Sequence, residues 1–273
     1  MERYDVAVIG GGNAGLCAAM TAIESCEKVL LIEKSPAIHR GGNSKYTRDI
    51  RCASNGPTES TRYTKEEFME DLLRVTKHDT DTKLASRTIE ESFNIPDWMT
   101  KHGVRWQLQL KGTLHLGRTN KFFIGGGKAL IDTYYDYAKT HNIQLHYDSS
   151  VEGLNFESGT LRSLMIRTGG GEREIEAKSY VIASGGFEAN IPWLKQYWGD
   201  IASNFIVRGC KYNTGTVLRC LLDNDALQTG VEKEFHAVAV DARSPKFDGG
   251  IVTRNDSIPF GIVVNKEGKR FYD

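Results

Sequence analysis

The apolar positions of the first forty residues fall into two short unbroken runs with a helical stretch between them. Val6 to Ile9 is one run and Val29 to Ile32 the other. Unbroken runs of this length predict strands buried on both faces, as in a parallel sheet. Asn13 to about Ser25 is rich in Ala and Leu and predicts a helix. The order is β-α-β within about thirty residues.

Residues 34–62 carry no regular period and predict a long functional loop. Thr64-Lys65-Glu66-Glu67 reads as a capping box, with Phe68, Met69, Leu72 and Leu73 on one helical face behind it. A second helix is expected from about Asp81. It is expected to break before Pro96, with Pro96 opening the next turn and Gly103 ending it. Gly125 to Gly127 precede a further helix with Leu130, Ile131, Tyr134 and Ala138 inward and Asn142 as its stop. Residues 143–183 alternate in runs that predict strands: Leu145 to Tyr147, Val151 to Phe156, Leu161 to Arg167, and Ile175 to Ala183. Glu157-Ser158-Gly159 and Gly169-Gly170-Gly171 mark turns between them. Past about residue 230 the texture changes to short strands and loops, with Ile262-Val263-Val264 and a Lys266-Glu267-Gly268 turn near the end. The fold class is α/β, with β-rich segments inserted after the first β-α-β unit.

Composition narrows the chemistry. Lys plus Arg and Asp plus Glu both number 35, so the formal net charge is zero. A neutral chain lacks the long-range field that nucleic-acid binding relies on, and no nucleic-acid partner is expected. Five cysteines, an odd number with no CxxC pair, point to neither a disulfide framework nor a zinc site; no metal is expected, and the thiols read as reduced and cytoplasmic. The start of the chain has no basic n-region and no apolar h-region, so no signal peptide is expected there. No apolar stretch has the length that spans a bilayer.

Gly10-Gly11-Gly12-Asn13-Ala14-Gly15 fits GxGxxG, and its context gives it weight. It follows a strand, opens a helix and is answered by an acid, Glu33, at the end of the next strand. Gly10 permits the tight turn, Gly12 lets backbone approach a pyrophosphate, and Gly15 lets the helix pack close. The helix start offers N–H groups to phosphate, and Glu33 can accept from ribose hydroxyls. Dinucleotide binding follows; the choice between FAD and NAD does not. Gly41-Gly42-Asn43-Ser44 is a second glycine-and-amide turn that fits the longer cofactor, or else an ordinary loop. Arg118, Lys121 and Lys128 flank the glycine-rich helix start, suited to an anion (cofactor or substrate) or simply a solvated cluster. GxSxG and HExxH are absent, so a cofactor carrying a redox step is the simplest reading.

The N-terminal βαβ unit, Gly42-Asn43-Ser44 and Ala183-Ser184-Gly185-Gly186-Phe187 resemble the fumarate reductase and succinate dehydrogenase flavoprotein superfamily. Within it, the chain looks most like the FAD-dependent tricarballylate dehydrogenase group and the related flavoprotein of cobalamin biosynthesis. That likeness is carried by Arg40 to Ser44, Thr47-Arg48, Gly112 to Leu116, Arg118 to Asn120 and Gly125 to Leu130. Phe235 to Ala237, Asp241 to Arg243, Lys246 to Arg254 and Arg270 to Asp273 carry it further, so it covers essentially the whole chain.

The resemblance implies FAD held by Gly10, Gly12, Asn13, Ala14, Gly15, Glu33, Lys34, Gly41, Gly42, Asn43 and Ser44, and again by Ser184, Gly185 and Gly186. It implies non-covalent FAD, because His39 is offset from the position of the covalent-flavin histidine. His236 falls on a substrate-carboxylate histidine in a motif usually written HPT, with Ala237 in place of Pro. Thr253-Arg254 falls where dicarboxylate enzymes carry Thr-Glu. An Arg there exchanges a negative group for a bidentate carboxylate receptor, which suits a third carboxylate. Arg118 joins these as a substrate-binding candidate.

The resemblance further implies an FAD domain over about 1–230 and the start of a capping domain over 231–273. The proton-transfer arginine and the closing part of the FAD domain are expected beyond Asp273, which makes the chain a fragment without turnover of its own. The implied reaction is oxidation of tricarballylate to cis-aconitate, with an iron–sulfur or membrane partner taking the electrons. The alternatives are chemistry like that of the cobalamin-pathway relative, another fumarate reductase-like dehydrogenation, or a non-catalytic FAD-binding module.

Overall fold

The computed structural model describes residues 2–56, 58, 61–108, 116–234 and 236–272. Gly112 to His115, Phe235 and Asp273, which carry parts of the resemblance, lie outside them. The described residues form two compact units. One comprises residues 1–43 and 144–273, the other residues 44–143.

The first unit opens with β1 (Glu2–Ile9), α1 (Asn13–Ile23) and β2 (Val29–Ile32), the order the apolar runs predict. The second unit holds β3 (Asp49–Arg51), β4 (Ser54–Asn55), β5 (Arg62–Tyr63), α2 (Lys65–Val75), α3 (Thr82–Lys101), α4 (Leu116–Thr119), β6 (Asn120–Phe122) and α5 (Gly126–Thr140). The chain then returns to the first unit through β7 (Gln144–His146), β8 (Ser150–Glu157), β9 (Thr160–Thr168) and β10 (Gly171–Ile182). Two helices, α6 (Ile191–Trp198) and α7 (Thr216–Leu222), follow, and then a terminal ribbon of β11 (Val263–Val264) and β12 (Arg270–Tyr272).

The six-stranded sheet of the first unit has the order β7-β2-β1-β10-β9-β8. β7, β2, β1 and β10 run parallel, while β10-β9-β8 is an antiparallel meander. Every residue of β2 is buried, which is why it reads as an unbroken apolar run. Ala7, Ile9, Leu30 and Ile32 share one core with Val151, Leu154, Leu164, Ile166 and Val217. On α1, Leu16, Ala19 and Met20 are buried.

Register brings the parallel strands to one edge. Ile9 stands opposite Ile32 on one side and Ile182 on the other, and Ile32 stands opposite His146. Gly10, Glu33, Tyr147 and Ala183 therefore leave the sheet side by side. β1 lies between a strand that follows it and one that returns much later, so this edge is a switch point, where open α/β sheets bind ligands.

In the second unit the capping box on α2 forms in both directions: Thr64 Oγ1 accepts from Glu67 N–H and Glu67 Oε2 accepts from Thr64 N–H. Asn142 takes a left-handed backbone just after α5, as the stop requires. Two expectations are corrected. Helix α3 does not break before Pro96 but runs through it. Proline removes one backbone bond from a 20-residue helix whose buried face, Ala85, Ile89, Ser92, Pro96 and Met99, continues on both sides. The 34–62 segment is not one structureless loop. It carries two short 3-10 turns and the small strands β3 to β5, whose partners are distant or too short to leave a period.

Candidate functional site

The glycine turn is built by contacts that exclude any side chain. Gly10 has φ +104°, and a Cβ there would lie 2.4 Å from the Ala183 carbonyl oxygen. A Cβ on Gly15 would lie 1.8 Å from the Gly10 carbonyl oxygen. The first glycine lets β1 and β10 close on each other, and the other seats α1 on the turn. Gly12 is the N-cap of α1 and no side chain caps the helix. The helix start thus presents backbone to an anion.

Glu33 sits at the end of β2, 6% exposed. Its Oε2 accepts from Gly11 N–H at 3.0 Å and its Oε1 from Ser35 N–H at 2.8 Å. Its own N–H donates to the His146 carbonyl at 2.8 Å. The acid therefore ties the glycine turn to β2 and β7, besides standing where a ribose is expected. Lys34, beside it, donates to Thr214 Oγ1 at 2.7 Å and Thr216 Oγ1 at 3.2 Å. Burial holds its pKa below the ordinary lysine value.

The two outlying segments expected at the cofactor come near each other through Glu188. Gly41 and Gly42 have φ +102° and +53°, and the turn they make delivers Asn43 to Glu188 and Cys210. Ser184-Gly185-Gly186 follows β10 directly, and Ala183 N–H donates to the Ile9 carbonyl at 2.8 Å. His39 faces the Tyr212 ring, with centroids 6.2 Å apart. The sequence reading missed Glu188, Cys210, Asn213, Thr214 and Thr216, together with α6 and α7. One signal was present for α6: Asn190 caps it by accepting from Trp193 N–H, with Pro192 in its first turn.

Ser44 belongs to the second unit, where its carbonyl lies against Gly127: a Cβ on Gly127 would meet it at 2.1 Å. Gly126 and Gly127 donate their N–H groups to Phe123 and Thr47 carbonyls. Backbone carbonyls thus use two of the N–H groups that an anion at this helix start would need. Arg118 donates to Glu67 Oε1 at 3.0 Å and to the Arg62 carbonyl at 2.8 Å, and lies over the Tyr63 ring. Tyr63 donates to Asp71 at 2.8 Å, and burial first, then Asp71, pushes its pKa up to about 12. Lys121 lies over the Trp106 ring and Lys128 pairs with Asp132 at 2.5 Å.

The remaining substrate candidates lie in the first unit. The segments 239–241 and 253–255 pair through Asp241 N–H to the Thr253 carbonyl and Asn255 N–H to the Ala239 carbonyl. This places Thr253 and Arg254 beside the strand-like stretch that follows His236. Thr253 Oγ1 donates to the Gly250 carbonyl at 2.9 Å, His236 is exposed, and Arg254 Nε pairs with Asp256 at 2.5 Å. No cluster of His, Cys, Asp and Glu among the described residues could hold a metal ion. No helix among them is long and apolar enough to cross a membrane.

A glycine turn clamped between parallel strands, an uncapped helix start and a buried acid on the next strand define a dinucleotide-binding α/β protein, and they fit the ADP half of FAD. The chain belongs to the FAD binding domain family, whose model matches residues 5–272, and FAD is its cofactor. It is 27% identical to the NADH:fumarate oxidoreductase of Klebsiella pneumoniae (strain 342), over 100% of this chain and 29% of that protein. It is 27% identical to the fumarate reductase (cytochrome) of Shewanella frigidimarina, over 99% of this chain and 48% of the relative. With the vinyl phenol reductase of Lactiplantibacillus plantarum it shares 25% identity, over 100% of this chain and 57% of the relative. Among solved structures, the open conformation of a flavocytochrome c3 fumarate reductase superposes with a TM-score of 0.70 at 24% identity, covering 81% of this chain and 40% of that one. The chain spans 29% to 57% of the length of these three curated relatives.

Proposed function

We propose that this chain is the FAD-binding part of an oxidoreductase acting on the CH–CH or C=C bond of a small carboxylate, most specifically tricarballylate, taken to cis-aconitate. The observation that carries the reading is the shared strand edge, where Gly10, Glu33 and Ala183-Ser184 emerge together. The names of the relatives support the bond class: two act on fumarate, one on a vinyl phenol and one on urocanate. Bound there, FAD supplies a two-electron acceptor or donor.

In this reading Gly10, Gly12, Asn13, Ala14 and Gly15 receive the pyrophosphate, and Glu33 with Lys34 the adenosine side. Gly41 to Ser44 and Ser184 to Gly186 serve the ribityl and ring portion, without a covalent bond. His236, Thr253, Arg254 and Arg118 are the carboxylate receptors. Arg254 supplies the charge for a third carboxylate by sharing or exchanging its partner Asp256. Residues 1–230 form the FAD domain and 231–273 begin the capping domain. Electrons pass to or from a separate redox protein, iron–sulfur or membrane-bound, in the cytoplasm; two relatives are named for a cytochrome and for NADH as partners.

The test is anaerobic addition of tricarballylate to the full-length, FAD-loaded enzyme of which this chain is the FAD-binding part, followed by the visible flavin absorption. Bleaching by tricarballylate and not by succinate supports the substrate. Bleaching by neither, with the flavin band present, rejects it and keeps the cofactor.

A further inference from the structure

Three turns that are far apart in sequence converge on one carboxylate. Glu188 Oε1 accepts from the side-chain amide of Asn213 at 2.8 Å and from that of Asn43. Asn43 also holds the 209–213 turn directly, since its Oδ1 accepts from the Cys210 backbone N–H at 2.7 Å. A backbone N–H can only donate, so it fixes the amide orientation: Oδ1 faces Cys210 and the NH2 group faces the carboxylate. The clasp is also closed on the backbone, since Ala189 N–H donates to the Asn213 carbonyl at 3.0 Å.

Three glycines stand close around it. A Cβ on Gly209 would lie 2.4 Å from Asn43 Oδ1, and one on Gly186 would lie 2.9 Å from Glu188 Oε2. Gly185, at φ +73°, would place a Cβ 3.3 Å from Asn213 Nδ2. Three amino-acid choices therefore agree on one arrangement: an acceptor at 188, amide donors at 43 and 213, and no side chain at 185, 186 or 209. Hydrogen bonds to an ionised acceptor are about twice as strong as neutral ones. The Glu188 carboxylate with its two amide donors is thus a charge-assisted contact joining these turns.

We infer that Glu188 is a positioning residue of the cofactor site, which fixes the 41–43 turn against the 184–188 turn by holding Asn43 and Asn213. The inference rests on the assignment of those two turns to the distal half of FAD. The ADP half has its own cradle in Gly10 to Gly15 and Glu33, so the two halves respond separately.

The experiment measures FAD and ADP affinities of the apoprotein by titration, in the wild type, Glu188→Ala and Glu188→Gln, with a melting curve of each. Glu188→Ala is expected to weaken FAD roughly tenfold to a hundredfold, the loss of hydrogen bonds to a charged group, and to leave ADP binding unchanged. Glu188→Gln keeps an oxygen that accepts from both amides and is expected to restore most of the FAD affinity. Equal weakening of FAD and ADP, an unchanged FAD affinity in Glu188→Ala, or no recovery in Glu188→Gln would overturn the role. A wild-type protein that binds FAD no better than ADP would instead overturn the assignment of the two turns beneath it.

Discussion

The glycine turn and the 236–256 segment are built in opposite ways. At the turn, backbone packs on backbone with no room for a methyl group, and the acid that completes it is buried and doubly bonded. Around Arg254 the chain is held by a few backbone bonds and by an ion pair whose side chains are 33% and 57% exposed. The first arrangement is rigid before any ligand arrives, which suits a cofactor that stays. The second is loosely tied, which suits groups that exchange partners with a substrate.

The sharpest break of that contrast is Gly15→Ala. Its Cβ would stand 1.8 Å from the Gly10 carbonyl oxygen, so α1 must move away from the strand. We expect a stability loss above about 3 kcal/mol, the top of the usual overpacking range, with loss of FAD binding, read by urea unfolding and flavin titration. Glu33→Ala comes next. It leaves the N–H groups of Gly11 and Ser35 without their buried acceptor, at about 1–3 kcal/mol each. Unfolding in urea measures it, and a loss comparable with a surface substitution would refute the tie.

Acidity probes the same strand edge. His146, at the end of β7, accepts at Nδ1 from Arg173 at 3.1 Å, which requires the neutral ring. Burial, then Arg173, holds its pKa below the ordinary 6.5, with Glu2 opposing. The unfolded chain therefore takes up this proton first as the pH falls. The stability it supports is present above about pH 6.5 and declines below it until the folded ring also protonates. Unfolding midpoints across that window should fall in the wild type and flatten in His146→Gln. The smallest effect is expected from Asp256→Ala. Removing an exposed partner of Arg254 should change stability by less than about 1 kcal/mol, while carboxylate affinity of the FAD-loaded enzyme rises if Arg254 is a receptor.

How much of this was readable depends on how local each feature is. Val6–Ile9, the glycines and Glu33 lie within thirty-three residues and agree at every level, so strand, turn, helix and acid were all expected where they are found. The second role of Glu33, accepting from Gly11, needed coordinates. The clasp of Asn43, Glu188 and Asn213 joins residues up to 170 positions apart, and single polar residues at such distances leave no period to detect. Pro96 misled because a breaker signal is local, while the buried face that carries α3 through it is not. The roles of His236 and Arg254 came from resemblance to a family and stay tied to its chemistry, while that of Arg118 came from its place beside the glycine-rich helix start.

The most direct measurement is backbone hydrogen exchange of the apoprotein with and without FAD, resolved by peptide. The account predicts slowed exchange in the segments 10–16, 33–35, 41–44 and 184–188, with 236–256 unchanged until a carboxylate substrate is added. Protection concentrated elsewhere, or absent from 10–16 while FAD is bound, would contradict the placement of the cofactor on the shared edge of β1, β2 and β10.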